Sequence, residues 1–192
     1  GTLGGLLDFR SQVLDPARND LGRIAAGLVE AVNTQHRSGV DLKGTAGTNF
    51  FALGPVDSVS RSTNAGNAQV AATLGSAAGL TGADYELSYS GSAWALKRLD
   101  TGAIVPMTGS GTAGSPLVAD GISMVVSGTP AAGDTVLVRP TRELVQGMGV
   151  LIADATRIAA AAPIAASANP ANTGSATITR GEVLDPANAA LK

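Results

Sequence analysis

The chain has 192 residues, 15% of them charged and 3% aromatic, with a formal net charge of −2 and no cysteine. That length supports one or two domains with a real core. The charge offers no basic face for nucleic acid and no polybasic anchor for a membrane, and the missing cysteines exclude disulfides and thiolate metal sites.

The first predicted element is the longest. Leu7, Leu14, Leu21 and Leu28 recur every seven residues, and Leu3, Arg10, Ala17, Ile24 and Ala31 keep the same step, offset by three or four. Such spacing belongs to a helix that packs lengthwise against other helices. Leu3, Leu7, Leu14, Leu21, Ile24 and Leu28 form its predicted packing seam. Continuous to Ser38, the helix would be roughly 54 Å long, so it reads as a rod with the remaining chain mounted on it. Pro16 predicts either a kink or a fresh helix start with Asp15 as N-cap, and the unbroken seven-residue register favours the kink. Gly22 and Gly27 each cost about 1 kcal/mol against alanine, a loss that makes sense where a neighbour packs close.

Residues Gly39 to Asn49 turn glycine-rich and end the helix. Asp41 opens a stretch resembling a calcium loop, but Lys43, Thr45 and Ala46 stand where two oxygen ligands and a glycine are required. Phe50, Phe51 and Leu53 make an apolar anchor, Pro55 to Gly66 is a Ser/Asn-rich stretch, and Gln69 to Leu74 is a strand. Tyr85, Leu87 and Tyr89 alternate with polar residues, Gly91-Ser92 suits a two-residue hairpin turn, and Trp94 to Leu96 returns. That register puts Tyr85, Leu87, Tyr89, Trp94 and Leu96 on one face. The face reads either as a sugar-stacking platform or, as favoured here, as the β-domain core.

Short strands follow at Ala103 to Met107, Leu117-Val118, Ile122 to Ser127 and Thr135 to Arg139, indicating an antiparallel sheet or small sandwich. Val150-Leu151-Ile152 reads as a return strand. Asp154 caps a predicted short helix that runs to Ala162 and stops at Pro163. A strand candidate lies at Ala176 to Thr179, and Val183 to Ala187 echoes Val13 to Ala17. The predicted fold is α+β: a long N-terminal helix kinked at Pro16, a mainly antiparallel β-domain and a short C-terminal helix. It divides into a helical rod segment and loop (1–48), an outer β-domain (49–152) and a short helix with the start of a further segment (153–192).

Motifs for chemistry are weak. Gly109, Gly111 and Gly114 spell G-x-G-x-x-G, but Ser115-Pro116-Leu117 and a strand follow, with no helix to hold a phosphate. His36, the only histidine, has no G-x-S-x-G elbow to serve and reads as a favourable charge at a helix end. The carboxylates are scattered. No catalytic, cofactor-binding or metal-ligating residue is predicted. No run of about 18 apolar residues exists to make a transmembrane helix, and Gly1 enters a helical pattern almost directly, as an internal piece of a longer protein would.

Specific words point further. Leu3-Gly4-Gly5-Leu6-Leu7-Asp8-Phe9-Arg10, Ala31-Val32-Asn33-Thr34-Gln35-His36 and Asn49-Phe50-Phe51-Ala52-Leu53-Gly54 resemble the FlgK family of flagellar hook-associated proteins. Asp84-Tyr85, Gly128-Thr129-Pro130, Asp134 to Pro140 and Val150 to Ile152 are similar too, so the resemblance runs from Gly1 to about Ala162. Pro16 departs from the family pattern. The resemblance implies a non-catalytic structural protein without cofactors, one subunit of a ring between flagellar hook and filament. Implied partners are other copies of itself, the hook protein and the second hook-associated junction protein. Export through the flagellar type III apparatus to the cell exterior is implied as well. Leu3 to Ser38 would then be a mid-chain helix of a rod-like domain, and Gln69 to Pro140 an outer β-domain. Since burying a leucine contributes roughly 1.5–3 kcal/mol, the stripe is predicted to fold back on the β-domain or pair with a second copy. Alternatives are another secreted flagellar axial protein, an extracellular adhesin or binding module using the Tyr85/Tyr89/Trp94 face, and a small hydrolase using His36.

Overall fold

The computed structural model describes residues 1–164, 169–171, 173–175 and 177. Its first element is helical from Thr2 to Arg37: α1 is Thr2–Phe9, a π-helical turn covers Arg10–Leu14, and α2 is Asp15–Arg37. The backbone stays in the right-handed helical region at Phe9, Arg10 and Asp15, so the chain does not restart at Pro16. Instead the Asp15 amide reaches five residues back to the Arg10 carbonyl. Proline lacks an N–H, and its ring crowds the carbonyl four residues earlier; a turn widened by one residue makes room for it. The disturbance expected at Pro16 takes the form of a π turn, and Asp15 is not an N-cap.

Residues Gly1–Leu28 and Leu53–Met148 form one compact unit, and Val29–Ala52 with the described residues from Gly149 onward form another. In the first, β2 (Asp57–Ser60), β9 (Thr135–Arg139), β4 (Tyr85–Tyr89), β5 (Trp94–Arg98) and β6 (Ile104–Val105) make an antiparallel sheet in that spatial order. A second sheet runs β3 (Gln69–Leu74), β8 (Ile122–Ser127), β7 (Leu117–Ala119). The sheets meet where the Ser58 hydroxyl donates to the Val70 carbonyl at 2.6 Å and where Thr108 bridges Val118. β2 lay inside the stretch read as Ser/Asn-rich: Asp57-Ser58-Val59-Ser60 has one apolar side chain, and its place comes from pairing with β9 and an Asp57–Arg139 ion pair.

The β4–β5 hairpin has the register that the alternation predicts, Leu87 opposite Leu96 and Tyr89 opposite Trp94. Leu87 and Leu96 are fully buried, and Tyr85 nearly so, among Ile122, Met124, Val136 and Val138. Tyr89 and Trp94 are only half-buried, their rings 5.0 Å apart near the hairpin tip, where Tyr89 donates to the Gly91 carbonyl. The apolar cluster between these strands is therefore built of aliphatic side chains, a methionine and one buried tyrosine.

In the second unit, β1 (Phe51–Ala52) pairs with β10 (Gly149–Val150), and Val40 bridges Ala46 and Ala161. The predicted C-terminal helix is a single 3-10 turn, Ala155–Arg157, capped by Asp154, which accepts the Thr156 amide at 2.9 Å. The alanines beyond it cannot continue the helix because their backbone groups are committed: Ala161 exchanges hydrogen bonds with Val40, and the Ala159 amide goes to His36. The strand candidate at 176–179 and the echo at 183–187 fall outside the described residues, Thr177 excepted.

Candidate functional site

The side chains that hold α2 in the first unit are not the leucines. Its buried positions there are Asn19, Gly22, Ala25 and Ala26, with Asp15 and Arg18 half-buried. These recur at three- and four-residue intervals, one helical face made of small and polar residues. A Cβ on Gly22 would lie 1.9 Å from the Thr141 carbonyl oxygen, so only glycine permits this approach. Two turns earlier, the guanidinium of Arg142 bridges two carboxylates, Asp15 at 3.1 Å and Asp84 at 2.5 Å. Asn19 donates to the other oxygen of Asp84 at 3.1 Å, and Arg18 pairs with Glu143 at 3.4 Å. Burial pushes the Asp84 carboxyl above the usual aspartate range, and the Arg142 charge only partly offsets it. Behind this knot Ala26 packs with Leu80 and Leu144.

A cleft of about 380 Å³ opens beside the knot, lined by Ser11, Asp15, Asp20, Asp84, Leu99 and Arg142 among others. Both Asp84 oxygens accept hydrogen bonds, Oδ1 from Asn19 and Oδ2 from Arg142, so the carboxylate is held in place at the cleft wall. The nearby Tyr85 hydroxyl donates to Asp120 at 2.8 Å and lies 2.7 Å from Thr81; burial raises its pKa. The glycines of Gly109 to Gly114 close a turn upon itself, the amides of Ser110 and Gly111 both donating to the Ser115 carbonyl at 2.9 Å. Among the described residues no three His, Cys, Asp or Glu side chains are grouped to hold a metal, and no helix is long and apolar enough to cross a membrane.

The second unit gives His36 a role that its sequence position did not suggest. Its Nε2 accepts the Ala159 amide at 2.9 Å, so the ring's proton sits on Nδ1, which donates to the Thr48 carbonyl at 2.6 Å. The neutral ring is thus a buried clasp rather than a charge facing the helix end. Asn33 acts likewise: its Oδ1 accepts the amides of Phe50 and Phe51 at 2.8 and 2.9 Å, and its Nδ2 donates to the Phe51 carbonyl. Asn33 and His36 therefore clasp the stretch Thr48–Phe51 to the end of the helix.

The leucine stripe faces elsewhere. Leu3, Leu7, Leu14, Leu21, Ile24 and Leu28, with Leu6, Phe9 and Val13, keep between 44% and 72% of their accessibility. The expectation that the stripe folds back on the β-domain does not hold, because the helix presents its Gly22/Ala26 side inward and closer approach than a leucine allows is what that side provides. Arg142, Asp84, Asn19 and Thr141 went unrecognised as packing residues. The signal for the helical half was present: Asp15, Asn19, Gly22 and Ala26 have the same periodicity as the leucines.

Residues 1–51 match the family model of the flagellar hook-associated protein FlgK helical domain, and residues 59–140 that of the D2-like domain of flagellar hook-associated protein 1. The chain is 37% identical over 161 residues to flagellar hook-associated protein 1 of Escherichia coli K12, covering 84% of this chain and 29% of that protein. It is 33% identical over 162 residues to the Salmonella typhimurium LT2 protein of the same name, again covering 84% and 29%. Among solved structures it is similar to the flagellar hook junction protein FlgK from Burkholderia pseudomallei, with a TM-score of 0.76, 37% identity, and 85% of this chain and 30% of that one covered. The chain thus spans less than a third of the length of these relatives. With helical and β-domain models both matched in order, the chain belongs to the family of the flagellar hook-associated protein FlgK.

Proposed function

We propose that this chain is the helix-and-β-domain part of a structural protein joining flagellar hook to filament, working by assembly and without catalysis. The observation that carries the reading is the exposed apolar stripe of Leu14, Leu21, Ile24 and Leu28 on a helix whose opposite side is already packed. So much apolar surface along one helix is an unfilled interface. In the assembled state Leu3, Leu7, Leu14, Leu21, Ile24 and Leu28 supply a seam for neighbouring helices, with Tyr85, Leu87, Tyr89, Trp94 and Leu96 maintaining the β-domain. Its partners in this reading are other copies of the protein, the hook protein and the second hook-associated junction protein. Its place is the extracellular flagellum, reached through the flagellar export apparatus.

The test is a full-length protein carrying Leu21→Asp and Ile24→Asp, expressed in a flagellated host lacking its own copy. Hooks without filaments, counted by electron microscopy, are the expected outcome, with secretion of the variant unchanged. Filaments at normal number and length would overturn the reading.

A further inference from the structure

The end of α2 and the stretch after β10 are joined by a set of backbone bonds that includes a single side chain. Val40 and Ala161 exchange hydrogen bonds at 2.8 and 3.2 Å, and the Leu42 amide donates to the Thr156 carbonyl at 3.2 Å. Between these, the Ala159 amide donates to His36 Nε2 at 2.9 Å. A Cβ on Gly39 would lie 2.3 Å from the Ala159 carbonyl oxygen, and one on Gly47 would lie 2.7 Å from the Ala159 methyl group, so the loop backbone presses on Ala159 from two places. His36 and Ala159 are each only 6% exposed, and the Phe50 ring stands edge-on to the imidazole, with centroids 5.5 Å apart.

We propose that His36 is a proton-operated latch: its neutral ring holds residues 156–161 against the end of α2, and a second ring proton lets them go as the surroundings turn acid. A backbone amide can only donate, so its bond to Nε2 needs the lone pair there. Nδ1 already carries the ring's proton and donates to the Thr48 carbonyl. A proton added at Nε2 therefore sets N–H against N–H, and the buried Ala159 amide is left without an acceptor. The C-terminal end of a helix favours positive charge, but that attraction does not depend on the Ala159 bond and does not restore it. Histidine ordinarily changes charge between about pH 8 and 5. The aspartates of the same elements stay ionised across that window: the Thr45 amide holds the Asp41 carboxyl below the usual aspartate range, and the Thr156 amide does the same for Asp154. Arg37 on α2 donates to Asn49 and Thr34. Among the described residues, Glu30 on α2, Lys43 in the loop and Arg157 in the 3-10 turn are the other charged groups of these elements.

The test is hydrogen exchange of the full-length protein at pH 8 and pH 5, read by mass spectrometry on peptides covering residues 155–162 and corrected for the intrinsic pH dependence of amide exchange. Protection there is expected to fall by at least about tenfold at pH 5, while peptides from β4 and β9 change by less than about twofold. In His36→Gln the side chain offers an acceptor that takes up no proton in this range, and the fall is expected to vanish. Asp154→Asn, which keeps a capping oxygen, is expected to show the same fall as the parent. Equal protection at the two pH values in the parent would overturn the latch whether or not His36→Gln folds. So would a fall of full size in His36→Gln, its disappearance in Asp154→Asn, or a matching fall in β4 and β9, which would mark global unfolding.

Discussion

The interior of the β-domain and the inner face of α2 are both buried, but by different means. Leu87, Leu96, Ile122, Met124 and Val138 are inaccessible and belong to one apolar cluster, so their contribution follows the area and volume they fill. The α2 face buries Asn19 and an Arg142 that bridges two carboxylates, and it closes on Thr141 through the missing side chain of Gly22. Here the geometry of a few oriented bonds fixes where the helix lies, and substitution of one partner strands another. An interior of the first kind tolerates volume-conserving exchange; a junction of the second kind does not.

Single substitutions test that difference. Arg142→Ala removes the cation that bridges Asp15 and Asp84 and is expected to cost about 3–5 kcal/mol, the scale for breaking a buried ion pair. Leu87→Ala should cost about 2–5 kcal/mol by removing buried methyl groups and leaving a cavity. Leu87→Met should cost less than about 1.5 kcal/mol, whereas Arg142→Met, equally conservative in length, should retain most of the Arg142→Ala loss. Urea unfolding monitored by Trp94 fluorescence and by circular dichroism reads all four. Equal tolerance of methionine at both positions would erase the distinction. Gly22→Ala is smaller: alanine gains about 1 kcal/mol in helix propensity, but its methyl group would meet the Thr141 carbonyl, and overpacking of about 1–3 kcal/mol leaves a net loss. Gly27→Ala, whose Cβ would meet nothing within 4 Å, should instead gain about 0.5–1 kcal/mol.

Those two glycines also show how far the sequence could be read. Both stood out as costly in a helix, yet only Gly22 has a neighbour, because nothing in the pattern said which face the β-domain would take. Counting apolar residues found the leucine stripe and therefore the face that this chain leaves open. The packed face is written in Asn, Gly and Ala, and its partners Asp84, Thr141 and Arg142 are remote in sequence, so their meeting is a property of the fold. The β4–β5 register was legible because alternation and a Gly-containing turn specify the same pairing. β2 was not, since a strand of Asp-Ser-Val-Ser draws its stability from partners rather than from propensity. Pro16 was legible as a disturbance, but proline chemistry alone does not distinguish a kink from a π turn.

The smallest effect separates the two regions by the sign of their response to acid. Asp134 accepts the amides of Ala65, Gly66 and Ala131 in the β-domain, and these bonds, the Ala131 one foremost, hold its pKa below the ordinary aspartate value. Its contribution to stability is therefore present above the unfolded pKa and lost as pH falls through the folded one. Asp84 is the reverse. Burial raises its pKa despite Arg142, so the ionised form is the costly one, and the contribution is present below the unfolded pKa and lost as pH rises through the folded value. Replacing each by asparagine removes its titration. Between about pH 3 and 7, Asp134→Asn should fall progressively behind the parent as pH rises, while Asp84→Asn should move in its own favour over the part of that range above the ordinary aspartate pKa. Urea midpoints measured at half-unit steps suffice. Parallel curves for the two variants would mean that the Arg142 knot and the Asp134 loop hold their carboxylates in the same way, which would remove the electrostatic half of the contrast between oriented junction and apolar interior.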